Sequence, residues 1–174
     1  MRTIVTAPDP VLSRIADPVE AFATPFLDDL VADMARIRRD MGGAGIAAPQ
    51  VGESLRLFLL DATQADGSIL PRHAGVPRLV VFNPVITARH GPPETGAEGC
   101  LSIPATLIPE GRIAVLRPPA IDWQGQDRTG APIGGRLDGF AARAFQHELD
   151  HLDGILITDH LVAGPERTDA SPVD

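Results

Sequence analysis

Hydrophobic positions recur in two rhythms along this chain. Between residues 24 and 43, Phe26, Leu27, Leu30, Val31, Met34, Ile37 and Met41 are spaced by three and four, the period of one helix face. Thr24 suits the N-cap of that helix, Pro25 suits its first turn, and Gly42-Gly43 ends it. A second helix is expected from Asp138, which can cap it. It carries an apolar face of Leu137, Phe140, Ala141, Ala144, Phe145 and Leu152 and stops at Gly154. Elsewhere the apolar runs are short and bounded by turn residues. Residues 3–6, 55–61, 78–83, 85–90, 106–108, 112–116 and 120–124, with a segment around Ile133, read as strands, Pro84 dividing the third from the fourth. Residues 62–77 read as a surface loop turning at Asp66-Gly67. There is no internal repeat. Many short strands beside two separated helices predict an α+β fold, with small mixed or antiparallel sheets packed around a central second helix.

Composition narrows the class. A chain of 174 residues suits one domain. Glycine and proline number 17 each, enough for many turns but short of the roughly 25–30% that marks disorder. The boundary falls near residue 164, giving a single catalytic domain over 1–164. The polar tail 165–174 reads as disordered. A net charge of −8 argues against stable nucleic-acid binding, which needs clustered cations. No signal-peptide pattern opens the chain, and no run approaches the roughly 20 apolar residues of a membrane span, so a cytoplasmic protein is expected. Cys100 is the sole cysteine, which excludes an intrachain disulfide. A lone cysteine is usually a small buried apolar residue, but it can also be a metal ligand or a nucleophile.

The second helix carries His147-Glu148-Leu149-Asp150-His151. Histidines four apart lie one turn from each other on one face, so both rings can bind one metal ion. Glu148 between them is placed to handle the proton of an attacking water. Two histidines leave a catalytic site short of a third protein ligand. Downstream, His160, Asp153, Asp159 and Glu166 are available. An extended motif with its third histidine at position 157 meets Ile157 instead, although Gly154 matches that motif's glycine. Upstream, Cys100 in Glu98-Gly99-Cys100-Leu101-Ser102 offers a thiolate that would leave a fourth position open.

Three blocks in order give this chain a resemblance to the peptide deformylases: Gly43-Ala44-Gly45-Ile46-Ala47-Ala48-Pro49-Gln50, then Glu98-Gly99-Cys100-Leu101-Ser102, then Gln146-His147-Glu148-Leu149-Asp150-His151-Leu152-Asp153-Gly154. Pro8-Asp9-Pro10-Val11-Leu12 and Asn83-Pro84 extend it over about residues 4–160. The resemblance implies a peptide-deformylase-like fold and hydrolysis of the N-formyl group of new polypeptides, with formate as the other product. It implies Cys100, His147 and His151 as metal ligands, Glu148 as the proton-transfer residue, and Gln50 with the backbone N–H of Leu101 as donors to the oxyanion. Ala44, Gly45, Glu98 and Gly99 would bind substrate. The implied metal is Fe(II), with Zn, Ni or Co as substitutes, and ligand softness does not choose among them. The implied partners are N-formylmethionyl peptides and nascent chains, in transient proximity to the ribosome.

Three features depart from the family pattern. Ala44 stands where bulky Ile or Val is usual, which predicts a wider methionine pocket. Leu107 stands where many bacterial members carry arginine, while Arg112 reads first as a structural ion-pair residue. The acidic tail, with Glu166, Asp169 and Asp174 against Arg167, is unlike a basic ribosome-docking helix, so stable docking through it is not expected. Two other readings compete. A zinc endopeptidase would use the same helix without Cys100. A non-catalytic metal-binding protein would have no need of Glu148 or Gln50.

Overall fold

The computed structural model describes residues 1–160 except 65, 70 and 109, so the predicted domain boundary and tail lie outside the described residues. The first helix, α1 (Pro25–Asp40), follows the predicted stripe. Thr24 Oγ1 accepts the N–H of Leu27 at 3.2 Å, and Gly42 adopts φ +69° beyond the last turn. The second, α2 (Gly139–Leu152), begins after Asp138, which occupies the N-cap position without a side-chain capping bond. Seven strands are formed: β1 (Gly45–Ala47), β2 (Leu57–Leu60), β3 (Leu79–His90), β4 (Glu94–Glu98), β5 (Ile113–Arg117), β6 (Ala120–Gln126) and β7 (Pro132–Asp138). One sheet runs β1-β2-β3-β6-β7 and a second pairs β4 with β5. Every strand pairing is antiparallel, so of the mixed and antiparallel sheets expected, the antiparallel form is used.

The larger sheet lies between the two helices. Alternate side chains of a strand face opposite sides. Leu57 and Leu59 join Phe82 in the cluster built on Leu30, Met34 and Ile37 of α1. Phe58 and Leu60 join Val81, Ile121 and Trp123 against Phe145 and Leu149 of α2. Burial on both faces explains why β2 is an unbroken apolar run. Phe145 meets Phe58 edge-on, with ring centroids 4.9 Å apart, and this contact seats α2 in the middle of the molecule.

Several segments differ from the pattern-based expectation. Residues 78–90 do not divide at Pro84. β3 runs through it, with a bulge between Phe82 and Val85 where proline's missing N–H is tolerated. Asn83 takes φ +48° there, and its side chain bonds both the N–H and the C=O of Val19 at 2.8 Å. Residues 3–6 are extended but join no sheet, because the N–H of Val5 and of Ala7 are taken by the carbonyls of Gln50 and Ser102. Residues 106–108 form a turn in which Leu107 and Ile108 both donate to the Pro104 carbonyl. The 62–77 loop is not wholly on the surface, since His73 and Val76 are buried.

Candidate active site

The site forms where α2 passes beneath β1 and the loop after β4. His147 and His151 project from one face of α2, with ring centroids 5.1 Å apart. Cys100, two residues beyond the end of β4, approaches from the smaller sheet. Its Sγ lies 3.3 Å from His151 Nε2, and one ligand atom from each of Cys100, His147 and His151 lies within 4.8 Å of the others. No other such cluster occurs among the described residues. Of the downstream ligands weighed on the sequence, His160 is instead bonded to Asp150 at 2.8 Å.

Glu98 fixes one of these rings. Its Oε2 meets His147 Nδ1 at 3.0 Å, which leaves Nε2 to face the ligand cluster. Arg117 grips both oxygens of Glu98, Nε to Oε1 at 2.6 Å and a terminal nitrogen to Oε2 at 2.9 Å, and Arg143 adds a bond to Oε1 at 2.8 Å. Four contacts fill the carboxylate's four lone-pair sites. Glu98, expected at the substrate, therefore has no oxygen left for a peptide. Burial opposes its ionisation, but the bonds from His147 and Arg117 hold it well below the usual carboxylate range.

Glu148 is buried between the two histidines, and its Oε2 has no hydrogen-bond partner among the described residues. Burial pushes its carboxyl up to about 7, against the pull of His147, and the charge of Glu98 adds to the rise. Burial also opposes protonation of His147, but the neighbouring Cys100 and Glu98 carry its pKa up. Burial and the charge of His147 depress that of His151. One thiolate and two imidazoles make a suitable donor set for a catalytic divalent ion with an open position. An orphaned buried carboxylate oxygen costs stability unless a water supplies its partner. Both features fit a metal-and-water site.

Gln50 follows β1 in a 3-10 turn (Ala48–Val51) and is 2% exposed. Its Oε1 accepts the Ala47 N–H at 2.9 Å. Its Nε2 points the other way, 3.2 Å from Ser102 Oγ and 3.7 Å from Cys100 Sγ. No acceptor among the described residues meets the backbone N–H of Leu101. Gly45 lies against Glu148: a Cβ there would collide with the Glu148 carboxylate and come within 2.8 Å of Leu60 Cδ2. A Cβ on Gly99 would stand 2.9 Å from the Gly111 carbonyl oxygen.

A cleft of about 280 Å³ opens onto these groups, with Ala44, Gly45, Gly99 and Leu101 on its walls. Arg112 also lines it, exposed and without an ion-pair partner among the described residues. The expected structural ion pair is thus not formed with any described residue. Leu107 is 55% exposed and does not line the cleft. His73 and Arg143 are cleft residues that the sequence reading left unnamed, and Phe140, read there only as part of an apolar helix face, lines the cleft as well. Arg143 had a signal, since it sits one helical turn before His147 on the same face.

The family model for polypeptide deformylase matches residues 1–166. Peptide deformylase 2 of Pseudomonas syringae pv. tomato is 40% identical over 158 residues, covering 90% of this chain and 84% of that protein. The peptide deformylase of Orientia tsutsugamushi is 35% identical over 162 residues, covering 91% and 86%. The crystal structure of the Thermotoga maritima peptide deformylase superposes with a TM-score of 0.79 at 35% identity, covering 95% of this chain and 99% of that one. A Met-Ala-Ser-bound class I type b peptide deformylase from Acinetobacter baumannii gives 0.77 at 29% identity, covering 91% and 98%. The sheet order, the Cys–His–His cluster and these matches agree: the chain belongs to the polypeptide deformylase family, metal-dependent enzymes that remove the N-formyl group from newly made polypeptides.

Proposed function

We propose that Cys100, His147 and His151 hold one Fe(II) ion, with Glu148, Gln50 and Leu101 completing the machinery for hydrolysing the formamide. A bound divalent ion supplies a Lewis acid that lowers the pKa of the attacking water. Glu148 accepts the proton of that water as it adds to the formyl carbon. Glu148 next returns the proton to the amine as the C–N bond breaks, releasing formate. As charge builds on the formyl oxygen it meets donors already in place, the Gln50 Nε2 and the Leu101 N–H. Ser102 and the Ala47 N–H hold the Gln50 amide in that orientation.

The observation that carries this reading is the orphaned, buried Glu148 carboxylate beside the three ligand atoms. The peptide would lie along the outer edge of β1, which among the described strands pairs with β2 alone, with Ala44, Gly45 and Gly99 near its backbone. The Met-Ala-Ser complex of the Acinetobacter baumannii protein supports a peptide in this cleft. Glu98 is assigned to holding His147 rather than to substrate. The substrate of this reading is the N-formylmethionyl end of a nascent chain, met in the cytoplasm in transient proximity to the ribosome. No helix among the described residues is long and apolar enough to cross a membrane.

The test is formate release from formyl-Met-Ala-Ser by anaerobically prepared protein loaded with Fe(II) or Ni(II). Glu148→Ala should keep its metal and lose about 10²- to 10⁴-fold in rate, whereas Cys100→Ser should lose metal and activity together. No formate from the metal-loaded wild type would refute the reading. Internal peptide cleavage that survives Cys100→Ser would favour the endopeptidase alternative.

A further inference from the structure

Arg143 makes contacts that the reaction itself does not require. One terminal nitrogen donates to Glu98 Oε1 at 2.8 Å and to the Val115 carbonyl at 2.9 Å, and the other donates to the Glu94 carbonyl at 2.7 Å. These acceptors span both strands of the smaller sheet. Glu94, Gly96 and Glu98 alternate along β4, and Gly96 pairs with Val115 of β5. The guanidinium therefore lies flat over Gly96. A Cβ on Gly96 would stand 2.6 Å from Arg143 Cζ and 2.7 Å from Nε. Real Cβ atoms do not approach so closely, so the Arg143 guanidinium can take this pose only over a glycine at 96.

The geometry points to Arg143 as a positioning residue for the metal centre: it holds the Glu98 carboxylate against His147 and fastens the sheet leading to Cys100 onto the helix bearing both histidines. This rests on the ligand assignment above. Arg143, His147 and His151 share one face of α2 at intervals of four. Arg117 already grips both oxygens of Glu98, but it belongs to β5 and moves with the smaller sheet. Arg117 also reaches α2, through Asp150 at 2.8 Å, yet Asp150 lies beyond His147 and is itself shared with His160. Arg143 instead joins helix to sheet on the N-terminal side of the ligands, at the strand that runs into Cys100. Partners that orient metal-bound histidines typically contribute about 10- to 100-fold to metal affinity.

The test compares wild type, Arg143→Met, Arg143→Lys, Gly96→Ala and the Gly96→Ala/Arg143→Met double variant, each loaded with Co(II). The readouts are the Co(II) dissociation constant from chelator competition, the thiolate-to-cobalt absorption, and the separate KM and kcat for formyl-Met-Ala-Ser. Arg143→Met should weaken Co(II) binding by about 10-fold or more and shift the absorption, with KM little changed. Arg143→Lys should recover part of the affinity through a single bond to Glu98. Gly96→Ala keeps every charge and displaces only the guanidinium, so it should reproduce the loss even if Arg143→Met folds poorly. In the Arg143→Met background Gly96→Ala should add little. Unchanged affinity and absorption in both single variants would overturn the proposal. So would a rise in KM alone, which would make Arg143 a wall of the substrate cleft. Absence of thiolate absorption in the wild type would overturn the ligand assignment itself, and the proposal with it.

Discussion

A methyl group at position 45 has no room, because the Glu148 carboxylate occupies the space it would need. The glycine-flanked block thus serves the acid-base residue directly as well as giving a peptide backbone access to β1. Gly45→Ala should displace Glu148 and leave the ligands untouched. We expect about a hundredfold loss of kcat with metal content unchanged by elemental analysis. Loss of metal in that variant would show that Gly45 instead supports the ligand cluster. At this scale His147, Glu148 and His151 were readable on the sequence because their mutual placement depends only on the helical period. The surroundings of Glu98 were not. It lines the cleft, but its oxygens are taken by Arg117, Arg143 and His147, residues from two other elements.

Between elements, the turn joining α1 to β1 depends on a buried cation. Arg38 is fully buried, donates to the carbonyls of Thr63 and Gly43, and lies 3.2 Å from Asp61 Oδ2. Burial pushes the Asp61 carboxyl up, but the bonds from Thr63 and the charge of Arg38 more than reverse this, so it titrates below the usual 3.8. A carboxyl with a depressed folded-state pKa stabilises the fold above its unfolded pKa, and that contribution is lost as pH falls through the folded value. Asp61→Asn should therefore be less stable than wild type at pH 7, by on the order of 2 kcal/mol, in urea unfolding. The gap should close as pH falls below 3.8. A gap independent of pH would mean that packing rather than charge makes the contribution. The pattern predicted α1 and its cap correctly because capping and amphipathicity are local. It divided β3 in two because the bulge at Asn83 and Pro84 is held by bonds to Val19 and Gln126, far away in sequence.

Across the molecule, the proposed ligands come from both sides of an internal seam. Cys100 follows the smaller sheet, and the histidines belong to the helix packed on the larger one. An ion bound by all three should tie these layers together, so chelation should lower the melting temperature and Fe(II) or Ni(II) should restore it. At a thousandfold excess over the dissociation constant the expected difference is about 4 kcal/mol. No change on chelation would mean that the folded protein binds no ion there, and would count against the ligand assignment.

The linear chain by itself determined the α+β class, both helices and the family to which the motifs point, and it set His147, Glu148 and His151 on one helix, where the proposed metal-and-water chemistry needs them. These follow from local periodicity, from capping, and from side-chain types at short fixed spacings. Tertiary packing decided that Cys100 comes to stand beside the two histidines, that Arg112 rather than Leu107 reaches the cleft, that Glu98 is bonded to His147, and that Arg143 lies over Gly96. Each of these depends on how strands of the smaller sheet register with one another and settle against α2. That is a sum of contacts between residues distant in sequence, which no spacing along the chain encodes.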